Sequence, residues 1–107
     1  MAAATYPLSI ITPAGRLFEG PAESLAAPAA EGMIGILAGH APLVTVVTRG
    51  AMTVRTPDGK EHHFAVDAGA LEVNTEGRVM ALLDHALETP TREEAASKSS
   101  GFSHEFE

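Results

Sequence analysis

GAMTVRTPDGKEHHFAV, residues 50–66, places two strand-like runs on either side of Thr56-Pro57-Asp58-Gly59. Proline presets the backbone for a turn, and Asp-Gly supplies the positive φ that a tight reversal needs, so 51–56 and 60–66 are expected to pair antiparallel. In the first run Met52 and Val54 share one face while Thr53 and Arg55 share the other. One face is then core and one is wet, the pattern of an antiparallel layer.

The same punctuation extends in both directions. From Tyr6 to Leu83, short apolar or alternating runs are broken by Gly, Pro, Asn and Asp at intervals of about ten residues, the spacing of a sandwich or barrel. Strands are expected near 6–11, 15–19, 22–27, 33–37, 43–48, 51–56, 60–66, 69–74 and 77–83. Asn74-Thr75-Glu76-Gly77 should turn LEVN back onto RVMALL with Gly77 left-handed, and Asp67-Ala68-Gly69 reads as a further turn with positive φ at Gly69. The expected fold is all-β, a two-sheet antiparallel β-sandwich of about ten short strands.

After Leu83 the chain becomes polar. Thr91 and Glu94 have the spacing of a capping box, but no apolar residues follow at helical intervals, so a short helix there has no face to bury. The expected division is a sandwich domain over 1–88 and a polar tail over 89–107, poorly ordered or a short helix.

Composition removes several function classes. Seven basic against fourteen acidic residues give a formal charge of −7, and no Lys/Arg cluster exists to neutralise phosphates, so nucleic acid is not a partner. The absence of cysteine excludes disulfides and thiolate metal sites. No apolar run reaches 18 residues and MAAATYPL has no signal-peptide pattern, so a soluble, unexported chain is expected, one that meets a membrane only through other proteins. With five aromatics, small aliphatics must pack the core.

EGMIGILAGHAPL, residues 31–43, is the other unusual stretch. As a phosphate loop, Gly32, Gly35 and Gly39 fail, because no GK[ST] follows and no helix start is signalled. They read as turns on either side of a short strand, with Gly35 allowing close backbone approach and Pro42 extending the chain after His40. His40 is placed to donate to a neighbouring carbonyl or a partner. It has no companion nucleophile, and Ser9, Ser24 and Asp67 lie in no nucleophile motif. His62 and His63 are adjacent in a strand and point to opposite faces, so a metal-dependent enzyme built on them and His85 is a weak rival. No catalytic residue, cofactor site or metal site is assigned.

The order of landmarks resembles the N-terminal β-sandwich domain of the epsilon subunit of rotary F-type ATP synthases, called delta in mitochondria. The resemblance is carried by Leu8-Ser9-Ile10-Ile11-Thr12-Pro13 with Phe18-Glu19-Gly20, by Glu31-Gly32-Met33-Ile34-Gly35-Ile36 with Gly39-His40-Ala41-Pro42-Leu43, by Phe64-Ala65-Val66 with Gly69-Ala70-Leu71-Glu72-Val73, and by Val79-Met80-Ala81-Leu82-Leu83-Asp84. It covers about residues 6 to 88.

The resemblance implies a non-catalytic central-stalk rotor subunit that bridges the foot of the gamma subunit to the membrane c-ring and couples proton transport to ATP synthesis or hydrolysis. Alpha and beta subunits belong to the same complex, and the location implied is peripheral, on the cytoplasmic face of the bacterial inner membrane. Position by position, the c-ring-facing loop falls on Glu31, Gly32 and Met33, and the gamma-facing positions fall on Thr12, His40 and Thr45. Met33 replaces an acidic residue of some members, and Ala38 a frequent proline. Many members continue into a helical hairpin that binds ATP or inhibits hydrolysis; here 19 residues follow Glu88 and Asp84-His85-Ala86-Leu87 lacks the ATP motif, so neither ATP binding nor an inhibitory hairpin is expected. An interface of about 800 Å² per partner would suffice. The alternative is a generic β-sandwich module that binds a protein or small ligand.

Overall fold

The computed structural model describes residues 4–102. In chain order the elements are β1 (Tyr6–Thr12), β2 (Gly15–Ala22), β3 (Ser24–Ala29), β4 (Gly32–Leu37), β5 (Leu43–Val47), β6 (Gly50–Arg55), β7 (Glu61–Val73), β8 (Val79–Thr89) and α1 (Arg92–Ser99). The β6–β7 turn forms where Asp-Gly places it. Gly59 has φ 85°, its N–H donates to the Thr56 carbonyl at 3.0 Å, and Thr56 N–H donates to Lys60 O at 3.0 Å. The Asp58 carboxylate accepts from the Thr56 hydroxyl and the Lys60 N–H, bonds that hold its carboxyl below the usual range.

The register of β7 explains how the sandwich is built. β5 pairs with it from Leu43↔Val73 to Val47↔Gly69, and β6 continues in the same register from Gly50↔Val66 to Arg55↔Glu61. Residues 43–55 and 61–73 thus form one long ladder, interrupted only where Thr48-Arg49 faces Asp67-Ala68. β8 follows β7 along its length, from Val73↔Val79 to His63↔Thr89. At the interruption Ala68 takes φ 55° and the ladder folds over. β7 and β8 therefore serve two layers, β2-β1-β8-β7-β5 and β4-β3-β6-β7-β8, within one hydrogen-bonded sheet. Between the layers lie Leu8, Ile10, Leu25, Ile36, Met52, Val54, Phe64, Val66 and Leu71, all fully buried. Tyr6 ties the layers together, donating its phenol proton to the Ile36 carbonyl at 2.9 Å.

The β-sandwich expectation holds, with differences in its parts. Eight strands replace the expected ten or so, because 60–66 and 69–74 belong to one strand that bends at Ala68 and resumes its pairing with β8 in the same register. The positive φ falls on Ala68, and Gly69 is needed for a different reason: a Cβ there would lie 2.1 Å from the Leu82 carbonyl oxygen. Pairing is not wholly antiparallel, since β1 runs parallel to β8 from Leu8↔Val79 to Ile11↔Leu82. The polar stretch after Leu83 continues β8 to Thr89, because its backbone finds partners on β7 while side chains such as Asp84, Leu87 and Glu88 face solvent.

α1 starts as its capping residues require, with Thr91 Oγ1 accepting from Glu94 N–H at 3.1 Å. The expectation that it buries no face is corrected. Ala95 and Ser99, one helical turn apart, are buried as α1 packs against β6, β7 and β8. Small side chains suffice because the helix lies close to the sheet, where Ala65, on the face opposite Phe64 and Val66, is also fully buried. Beyond the helix, Phe102 stacks on His85 with ring centroids 5.3 Å apart and planes 19° apart. The rest of the tail, 103–107, lies outside the described residues.

Candidate docking surface

β3 and β4 are joined by the two residues Ala30 and Glu31, and Gly32 follows with φ 117°, a backbone that favours glycine. This projects Glu31 into solvent and leaves Met33 56% exposed. The hairpin tip is fastened beside β5, where Ala30 N–H donates to Val46 O and Thr48 N–H to Pro28 O. Glu31, in the turn, and Gly32 and Met33, the first residues of β4, thus lie together at the tip of the β3–β4 hairpin beside β5.

The other three assigned positions do not form a cluster. His40 lies beyond β4, its N–H bonded to Leu37 O at 3.2 Å and its Nδ1 2.7 Å from the Ala41 carbonyl. Because that carbonyl only accepts, Nδ1 carries the proton and Nε2 is the nitrogen turned elsewhere. Around it are Tyr6, Pro7, Asn74 and Glu76, at the start of β1. Thr12 sits at the opposite end of β1, where its hydroxyl closes the β1–β2 turn by accepting from Ala14 N–H and donating to Gly15 O. Thr45 pairs with the buried Leu71, so alternation turns it toward the core side of β5.

Its neighbours are the residues that face out. Val44 is 71% exposed and Val46 57%. Val46 pairs with Ala70, Ala70 with Leu82, and Leu82 with Ile11, which makes an apolar row across β5, β7, β8 and β1. Leu82, in the middle of a sheet, is 48% exposed. Outer faces of antiparallel sandwiches are normally polar, and a contiguous apolar patch marks an interaction site. The sequence carries a signal for it: LVTVV and VMALL are apolar at both alternation phases, as strands covered on both faces are.

The histidines turn to separate partners. His62 Nδ1 is 3.1 Å from Glu88 Oε2 and His63 Nδ1 is 3.1 Å from Thr53 Oγ1. Among the described residues no three metal-ligating side chains converge. Of the residues weighed as nucleophile partners, Asp67 is in an ion pair with Arg49. The arrangement offers contact surface, with an apolar sheet face, an acidic projecting loop and a tautomer-fixed histidine at one end.

Residues 5–89 match the family model described as ATP synthase, Delta/Epsilon chain, beta-sandwich domain. Curated relatives named ATP synthase epsilon chain include those of Psychrobacter cryohalolentis, 38% identical over 92 residues that make up 86% of this chain and 66% of the relative, and of Nitratiruptor sp., 35% identical over 88% of this chain and 74% of the relative. That of Helicobacter pylori is 33% identical over 90% and 80%. The chain thus spans just under two thirds of the length of the Psychrobacter relative. Among solved structures, a chain of the Euglena gracilis mitochondrial ATP synthase, in an assembly of OSCP, F1 and c-ring, superposes with a TM-score of 0.76 at 23% identity over 92% of this chain and 63% of that one. A chain of the Tetrahymena thermophila mitochondrial ATP synthase central stalk and c-ring gives 0.66 at 13% identity, over 94% and 92%. These two likenesses are of fold. From the family match over 5–89 and from relatives more than 30% identical along most of its length, the chain belongs to the delta/epsilon family of ATP synthase subunits.

Proposed function

We propose that this chain is a non-catalytic rotor subunit of an F1Fo ATP synthase, bridging the foot of the gamma subunit to the c-ring so that ion-driven rotation reaches the catalytic head without slip. The observation that carries the reading is the in-register apolar row Val46, Ala70, Leu82 and Ile11 on an outer sheet face, which offers a broad surface for a protein. Gamma is the proposed occupant of this face, with His40 at its end. The Glu31–Met33 hairpin tip, beside β5, is proposed to meet the polar loops of the c-ring. The subunit itself contributes no catalytic group and binds no ATP.

Its location in this reading is peripheral, at the cytoplasmic face of a bacterial inner membrane and held there through the c-ring. No helix among the described residues is long and apolar enough to cross a membrane. The formal charge of −7 would favour basic groups on the partner and speed docking more than it tightens it.

A tagged chain recovered from solubilised native membranes tests the proposal. Alpha, beta, gamma and c-ring subunits should come with it, together with ATPase activity. Recovery of the chain without them would reduce the likeness to one of fold, and the apolar row would then belong to some other partner.

A further inference from the structure

The sheet ends in two edge strands, β2 and β4, and only one is guarded. β2 carries an Arg16–Glu19 ion pair at 2.8 Å, a proline at Pro21 and an irregular register opposite Ile10/Ile11, all devices that blunt an edge. β4 reads GMIGIL, with no charge, no proline and no bulge against β3.

The hydrogen-bond phase of β4 follows from its neighbours. Pro28 O and Ala30 N–H are used on the β5 side of β3, so Leu25, Ala27 and Ala29 turn their backbone groups to β4 and meet Ile36, Ile34 and Gly32. Met33, Gly35 and Leu37 then direct N–H and C=O to the open edge. Of these groups, Leu37 O accepts from His40 N–H. The same three residues lie on the outward face, where Met33 is 56% and Leu37 65% exposed and a Cβ on Gly35 would meet nothing within 4 Å.

We propose that the free chain pairs with a second copy of itself through β4, antiparallel about Gly35. In that register Gly35 faces Gly35 of the other copy, and each Met33 faces the other's Leu37. All three outward residues then exchange backbone hydrogen bonds, Leu37 O accepting a second bond beside that from His40 N–H, and the two exposed apolar side chains cover one another. A shift by two residues in either direction leaves one of the three unmatched. Two-fold symmetry is met because one self-complementary strand supplies both sides. No charge within the strand opposes the contact, and what opposes it is the formal charge of −7 on each copy, so self-association should strengthen as salt screens that repulsion. Met33 belongs both to this edge and to the loop proposed to face the c-ring. Self-pairing and docking therefore exclude one another, and the pair is a form of the unassembled chain. The inference does not depend on the rotor reading, because it is tested on the purified chain alone.

Sedimentation equilibrium from micromolar to millimolar concentration, at low and high salt, should show the 11.1 kDa chain approaching twice that mass, more readily at high salt. Gly35→Glu places two like charges opposite each other on the axis and should weaken association at least about tenfold with the melting temperature of the monomer kept. In this cysteine-free chain, Gly35→Cys should form a disulfide-linked dimer on mild oxidation, and Leu17→Cys on β2 should not. A monomer at every concentration and salt overturns the proposal. So does a dimer that survives Gly35→Glu but is lost with Val46→Asp, which would place the contact on the apolar face. If Gly35→Glu fails to fold, the two cysteine variants decide.

Discussion

Arg49 Nη2 lies 3.1 Å from Asp67 Oδ2, bridging the two segments at which the long β5–β6/β7 ladder folds from one layer into the other. The guanidinium side chain is 39% exposed and the carboxylate side chain 7%. Loss of either partner leaves a different remainder: arginine still reaches water, whereas the carboxylate stays buried.

The asymmetry gives a first expectation. Arg49→Ala should destabilise the fold, by about 1 kcal/mol or more, since a carboxylate that loses its opposite charge is penalised most where it is desolvated. The urea midpoint of the variant, read at equal m-value, measures the loss. No loss would mean that the carboxylate keeps sufficient support from its other interactions.

At the same fold, Gly69→Ala should be among the most damaging single-methyl additions in the chain, costing about 3 kcal/mol or more, because the new Cβ would meet the β8 backbone at Leu82 and Leu83. Its neighbour behaves oppositely. Ala68 occupies φ 55°, a region that costs an L-residue about 1 kcal/mol or more, so Ala68→Gly should be neutral or stabilising by up to about 1 kcal/mol. Thermal melts of the pair test whether position 68 carries the bend and position 69 the close approach.

Tyr6 is the single tyrosine in a chain without tryptophan, and burial raises its phenol well above the ordinary value of 10.0. A folded-state pKa above the unfolded one means stability that is fully present below the unfolded value and lost as pH rises through the folded value. Phenolate absorbance should therefore stay low through pH 10 and appear together with loss of β circular dichroism. Ionisation of a still-folded chain near pH 10 would show the ring to be open to water. Tyr6→Phe, which removes the bond to the Ile36 carbonyl, should lower stability by about 1 kcal/mol.

The proposed docking face is tested by Val46→Asp. At 57% exposure the substitution should change the stability of the isolated chain by no more than about 0.5 kcal/mol, while co-purification with gamma falls sharply. Unchanged recovery would remove the apolar row from the interface.

The parts of this fold that the sequence announces are the locally encoded ones. Asp58-Gly59 turns where the dipeptide demands it, Asn74 closes its turn by accepting from Glu76 and Arg78 N–H, and Thr91 caps α1 three residues ahead of Glu94. What it conceals depends on partners distant along the chain. Asp67-Ala68-Gly69 has breaker composition, yet β7 passes through it because β8 pairs in one register on both sides of Ala68. The parallel β1–β8 contact joins the first strand to the last, which no local pattern reports. α1 buries a face made of Ala95 and Ser99, too small to register as hydrophobic periodicity. The candidate site divides the same way. Glu31, Gly32 and Met33 share one hairpin tip, as contiguous residues must, whereas Thr12, His40 and Thr45 are spread apart. The apolar row is assembled from four strands, one residue each, and its trace in the sequence is confined to the both-phase apolar character of residues 43–47 and 79–83.

β7 and β8 run through both layers, and this sets the mechanical character of the molecule. Two separate sheets pressed face to face can shear by sliding side chains over one another. Here a load applied to the outer face of one layer passes into the other along the peptide bonds of β7 and β8 and the ladder between them, with the Arg49–Asp67 pair bracing the crease. The domain should resist torsion as a single stiff body, which is the property that the proposed bridging role would require.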